Sequence, residues 1–252
     1  MDELVRSGWE AVAAAEWETA RDCFERAYEA DQSAEVLDGL SRALHFLGEY
    51  ERAIELTERA FVAYVDDGKV IDAADRARWL AFLHGTINGN MAVASGWMGR
   101  AGSLLADHED CAGHGWLTLD TAVFSDDPGE REHHALAALA IARRFGDKDL
   151  EYDALALLGD AKVAGGQVAE GMKLIDEAMT ALSSGEVADV VAVSDILCRL
   201  LGACERALDV ARAEQWMTVA RDFGAWRVRV AGLPHPLQRD PHRGRALAGG
   251  RA

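Results

Sequence analysis

The stretch HEDCAGH sets His108, Cys111 and His114 three residues apart. Imidazole nitrogen and thiolate sulfur are zinc ligands, and on one helical turn these side chains could converge on a metal, with Asp107 or Asp110 beside them. The segment straddles a turn and a predicted helix start, however, and its spacing matches no structural zinc pattern. The alternative is a solvated loop in which an Asp caps the next helix. His133 and His134 are adjacent, so on a helix they diverge by about 100° and cannot chelate together. Acidic pairs such as Asp66/Asp67 and Asp126/Asp127 fall in turns, where Asp starts helices. No Gly-x-Ser-x-Gly elbow occurs, and no nucleophile stands with a base and an orienter. The first reading is therefore a non-catalytic binding protein without metal or cofactor. An enzyme or metal-dependent protein using residues 108–114 is the alternative.

The elements that would position such residues emerge from composition and repetition. Half of the 252 residues are apolar and 27% are charged, the balance of an ordinary folded protein. No apolar run approaches the ~20 residues that span a bilayer, and MDELVRSGWE has no cationic leader. Cys23, Cys111, Cys198 and Cys204 form no CxxC pair, which suits reduced thiols and a cytoplasmic setting. The net charge is −17, but the end of the chain is basic: residues 225–252 carry six Arg and one Asp. Residues 1–224 hold 20 basic and 42 acidic side chains, a body that repels nucleic acid and anionic membranes and favours basic partners.

AEWETARDCFERAYEA (15–30) and GEYERAIELTERAFVA (48–63) align at a spacing of 33. A small residue recurs at Ala20, Ala53, Ala94, Ala135, Gly171 and Ala213, and again seven further on at Ala27, Ala60, Ala101, Ala142, Ala178 and Ala220. Between them stand Phe24, Thr57, Met98, Leu139, Ile175 and Met217. Such positions form one stripe of a helix, where small residues admit a close neighbour and the larger one fills the gap. An apolar-periodic segment precedes each stripe, and DDGK, NGN, DDPG, FGDK, GGQ and SSGE punctuate the series. Pro128 falls where a helix should begin. The fold expected over residues 1–224 is all-α: a right-handed α-solenoid of about six helix–turn–helix units.

The first two units resemble tetratricopeptide repeats, on Gly8, Trp17, Ala20, Phe24 and Ala27, then Gly48, Tyr50 and Ala53. Later units depart from that pattern, with spacings of 41, 41, 36 and 42 between the small positions and with Met91, Glu132, Val168 and Val210 at the aromatic position. More narrowly, HGWLTL, ALAIARRFGDKDLEYDALALLGDAKVAGGQVAEGMKLIDEAM and LCRLLGACERALDVARAEQW resemble the helical repeat region of actinobacterial LuxR-type transcriptional regulators, over residues 10–224. That resemblance implies binding of an effector or partner protein, with DNA read by a separate C-terminal helix–turn–helix and, in some members, an NTPase domain ahead of the repeats. No GxxxxGK[ST] loop occurs here, so the chain is expected to be the sensing part alone.

By the tetratricopeptide register, Trp9 faces a concave groove, with Asp38, Arg42 and His45 from the second unit, Asp153 and Asp160 from the fifth, and Glu205 and Arg206 from the sixth. Such a groove suits a protein or peptide segment carrying Lys or Arg, or a small effector. Trp17, at the repeat's consensus turn position, and Trp79, Trp97, Trp116 and Trp216, on apolar stripes, are assigned to the core. An uncapped last helix leaves a self-associating scaffold, such as a homodimer, as a further alternative. The Pro/Arg/Gly tail, 225–252, reads as a disordered basic end or as the frame-shifted end of another repeat. A nucleic-acid arm fits it less well, because its arginines are scattered among prolines.

Overall fold

The computed structural model describes residues 2–222, and every regular element among them is helical. In chain order these are α1 (Asp2–Ala13), α2 (Trp17–Tyr28), α3 (Ala34–Phe46), α4 (Tyr50–Asp66), α5 (Val70–Phe82), α6 (Met91–Leu105), α7 (Ala112–Val123), α8 (Pro128–Phe145), α9 (Lys148–Ala164), α10 (Val168–Ser184), α11 (Val190–Ala207) and α12 (Val210–Asp222). A π-helical turn, Leu83–Ile87, extends α5. The fold is all-α, and no described helix is long and apolar enough to cross a membrane. The tail 225–252, for which the sequence left several readings, lies outside the described residues.

Local chemistry sets the helix ends. Pro128 opens α8, where its missing N–H costs nothing, and the Asp127 carboxylate accepts from the Gly129 and Glu130 amides at 2.7 and 3.0 Å. Asp147 and Asp189 cap α9 and α11 in the same way. Gly146 and Gly185 end α8 and α10 in the left-handed conformation, at φ 70° and 81°.

Each helix packs against the next, and the odd-numbered helices also meet one another: α1 with α3, then α5, α7, α9 and α11 in series. The small-residue stripe lies on the even-numbered helices. All twelve of its positions are buried except Ala213, which is half-buried. The apolar interior collects into two cores. The first, within α1–α6, is built on Trp17, Phe24, Phe46, Phe61 and Tyr64. The second, within α7–α12, buries aliphatic and methionine side chains and Cys204, and no aromatic one among the described residues. Ala15, in the α1–α2 turn, and Val190, at the start of α11, pack against both cores. Arg42 on α3 lies 3.9 Å from Asp189 at the head of α11. The inner face formed by the odd-numbered helices is thereby brought round on itself.

Candidate functional site

What this inner face encloses is a cavity of about 280 Å³, walled by side chains from α3, α5, α7, α9 and α11 and the caps of the last two. That size suits one side chain or a small molecule, not a second helix. The lining holds seven aspartates, three arginines, four aromatic rings and one valine. Helix periodicity explains the convergence. On α5, Asp75, Arg78, Trp79 and Phe82 stand three or four residues apart and share one face, with Arg76 beside them. On α7, Trp116 and Asp120 are four apart, as are Asp149 and Asp153 on α9. The Trp116 indole donates to Asp147 at 3.0 Å, and the Arg78 guanidinium sits 5.3 Å above the Trp116 ring.

Most of this charge is already paired. The buried Arg76 guanidinium bonds both Asp38 and Asp75, and Arg78 bonds Asp75 at 2.5 Å and Asp120 at 2.6 Å. Asp153 bonds Arg199. Asp149 accepts from the Ala188 and Asp189 amides at 2.6 and 3.0 Å, tying α9 to the head of α11. Burial would raise the Asp75 carboxyl, but Arg76, Arg78 and Arg42 outweigh it and hold the group well below the usual carboxylate range. The other end of the cavity has the opposite balance. Burial raises Asp120 against the pull of Arg78, raises Asp153 well above its ordinary value against Arg199, and pushes Asp195 up to about 6. Asp195 has no hydrogen-bond or ion-pair partner among the described residues, although it lines the cavity.

Of the eight residues placed in the groove from sequence, Arg42 and Asp153 line the cavity. Asp38 is buried just beneath, held by Arg76 and Arg42. His45 is behind the wall, 6% exposed, amid the rings of Phe46, Tyr50, Trp79 and Phe82; burial lowers its imidazole to about 4. Trp9 lies outside the cavity, its indole donating to Glu35 at 3.1 Å and its ring 5.8 Å from the Arg42 guanidinium. Asp160 pairs with Arg131 and Arg206 at a separate place, and Glu205 is exposed. Two of the eight residues thus line one compact cavity, and the other six lie off it.

Trp17 is buried, stacked on Phe46 at 4.1 Å, and the half-buried Trp97 and Trp216 pack against the first and second cores; Trp79 and Trp116, also expected in the core, form part of the cavity wall, Trp116 packing against the second core as well. His108, Cys111 and His114 do not converge as a ligand set, and no metal-holding group of three occurs among the described residues. Cys111 and His114 form a reciprocal cap at the start of α7, with His114 Nε2 also 3.1 Å from the Leu105 carbonyl, and His108 Nδ1 is 3.0 Å from the Glu109 carbonyl. Asp75, Arg76, Arg78, Asp120 and Asp195 were not singled out from sequence. A usable signal was there: ionisable residues inside the apolar-periodic runs AADRARWLAF and VAVSDILCRLL.

Fold and site together define an all-helical protein whose inner helices enclose a charged, aromatic-walled cavity. Comparison with known proteins returned no matching family model and no matching curated protein.

Proposed function

We propose that this chain is a tetratricopeptide-like, right-handed α-solenoid of six helix pairs that acts by binding, with its ligand held in the central cavity. In this reading it is the effector- or partner-recognising part of a transcriptional regulator, and it performs no chemistry on what it holds. One observation carries the reading: five successive odd-numbered helices each contribute to a single cavity whose lining combines four aromatic rings with seven aspartates and three arginines. Concave sites with apolar walls and a few placed polar groups are where proteins bind small ligands and side chains. Scattered surface charge would keep a repeat protein soluble without gathering guanidinium and carboxylate groups at one point, with Arg76 and Asp153 buried and the rest partly so. Burying such groups is costly, and the cost is most simply explained by a ligand that uses them.

The test follows the indole N–H signals of Trp79 and Trp116 by NMR, assigned through Trp→Phe variants. The tripeptides Gly-Arg-Gly, Gly-Glu-Gly and Gly-Gly-Gly and their single side-chain analogues are titrated in. A saturable shift of both indoles with any of these ligands supports the reading. Signals unmoved by all of them overturn it.

A further inference from the structure

The charge in the cavity is unevenly satisfied, and the imbalance points to a ligand class. Asp75, Asp120 and Asp153 are each bonded to an arginine, Asp147 and Asp149 are engaged by amide or indole N–H groups, and Asp189 caps α11. Asp195, one turn into α11, is the lining carboxylate left with no such partner among the described residues. It is partly buried, under the like charge of Asp153, Asp120 and Asp189 and the opposing charge of Arg199 and Arg78. A partly buried carboxylate set among like charges without a donor is costly, and a cation entering the cavity would relieve that cost. The aromatic wall adds a second feature. Trp79 stacks on Phe82 at 4.9 Å, and Arg78 already lies over the Trp116 ring, so this wall accommodates a guanidinium on an indole face.

We propose that the cavity receives one organic cation, an ammonium or guanidinium group, which pairs with Asp195 while its carbon chain lies against the aromatic wall. This deepens the binding reading and rests on it. The cation can come from a free small molecule or from a Lys or Arg side chain of a peptide, and both present the same group. The carboxyl is protonated more readily than an ordinary aspartate, so at pH 6 the cation displaces a proton to solvent as it binds.

Isothermal titration calorimetry with three probes tests this: n-propylguanidinium, Gly-Arg-Gly, and Gly-citrulline-Gly, which has nearly the same shape without the charge. Binding of both cations with no binding of the citrulline peptide supports the proposal with a free cation as ligand. Binding of Gly-Arg-Gly alone supports it with the cation supplied by a peptide. Asp195→Asn is expected to weaken binding at least tenfold, while the exposed Glu205→Gln leaves it unchanged. Titration at pH 6 in two buffers of different ionisation enthalpy is expected to show proton release in the wild type; this readout stands even if the Asn variant does not fold. Equal affinity for the citrulline peptide, or a folded Asp195→Asn that binds like wild type, overturns the cation pairing. In that case shifts of the Trp79 and Trp116 indoles would leave the cavity reading intact, whereas indoles unmoved by every probe would end both.

Discussion

The two halves of the molecule bring helices together by different means. In α1–α6, bulk does the work: Phe24 is fully buried, and its ring fills the space over Gly8 and Gly39, where an added Cβ would lie 2.7 and 2.2 Å from ring atoms. In α7–α12 the backbones themselves touch. A Cβ on Gly159 would lie 2.7 Å from the Gly171 carbonyl oxygen, and one on Gly171 would lie 2.3 Å from that of Gly159. One core is aromatic over glycine; the other is aliphatic with backbone against backbone. Both satisfy the same demand for close helix approach, so the packing constrains helix spacing more tightly than residue type. The cavity lies between them, walled by α3 and α5 of the first region and by α7, α9 and α11 of the second.

Substitutions can separate the halves. Phe24→Ala should have the largest effect, a loss of about 4 kcal/mol in urea unfolding, because a fully buried ring is removed from a fixed frame. Hydrogen exchange should show lost protection in α1–α4 ahead of α9–α11. Equal loss throughout would mean that the two cores open as one unit, and the contrast would then be one of composition only.

His45 and Asp195 sharpen the comparison through pH, because their signs oppose. The imidazole, at about 4 in the fold, stays neutral while the unfolded chain takes up a proton near 6.5. Stability therefore falls as pH drops from about 6.5 to 4, by about 3 kcal/mol in all. His45→Gln should remove that dependence, as measured by urea unfolding at a series of pH values. Asp195, at about 6, prefers its neutral form in the fold, so its contribution is lost as pH rises from the unfolded carboxyl value through 6.

Gly171→Ala attacks the second half. Its new methyl meets backbone that cannot step aside, and a loss of about 2 kcal/mol is expected, with exchange rising first in α9 and α10. Protection lost equally in α2 and α3 would argue against separate cores. Asp195→Asn should have the smallest effect and the opposite sign. It removes a partly buried, unpaired charge and should stabilise the protein at pH 7 by about 1–2 kcal/mol, discounted because the cavity admits solvent.

Much of the fold was legible in the sequence because it rests on sterics that leave a periodic mark. The alanines at 20, 27, 53, 60, 94, 101, 135, 142, 178 and 220 had to be small for a helix to approach, and all ten are buried. Turn signals such as DDPG and FGDK marked helix starts because capping is local chemistry. The site was less legible. Which face of an inner helix points inward depends on register, and a shift of one residue turns a side chain through about 100°. In the second unit, where Gly48, Tyr50 and Ala53 fix the register, Arg42, placed in the groove from sequence, lines the cavity. In the third and fourth, where the spacing stretches to 41 and the aromatic is lost, Trp79 and Trp116 were assigned to the core and Asp75 and Asp120 were passed over. Closure of the inner face, through Arg42 and Asp189, joins residues 147 apart, and no local pattern encodes it.

The most direct test of the central claim is a crystal structure of the protein grown with Gly-Arg-Gly. The expected result is a guanidinium inside the cavity against the Asp195 carboxylate, beside Trp79. A peptide bound elsewhere, with the cavity holding only water, would contradict it.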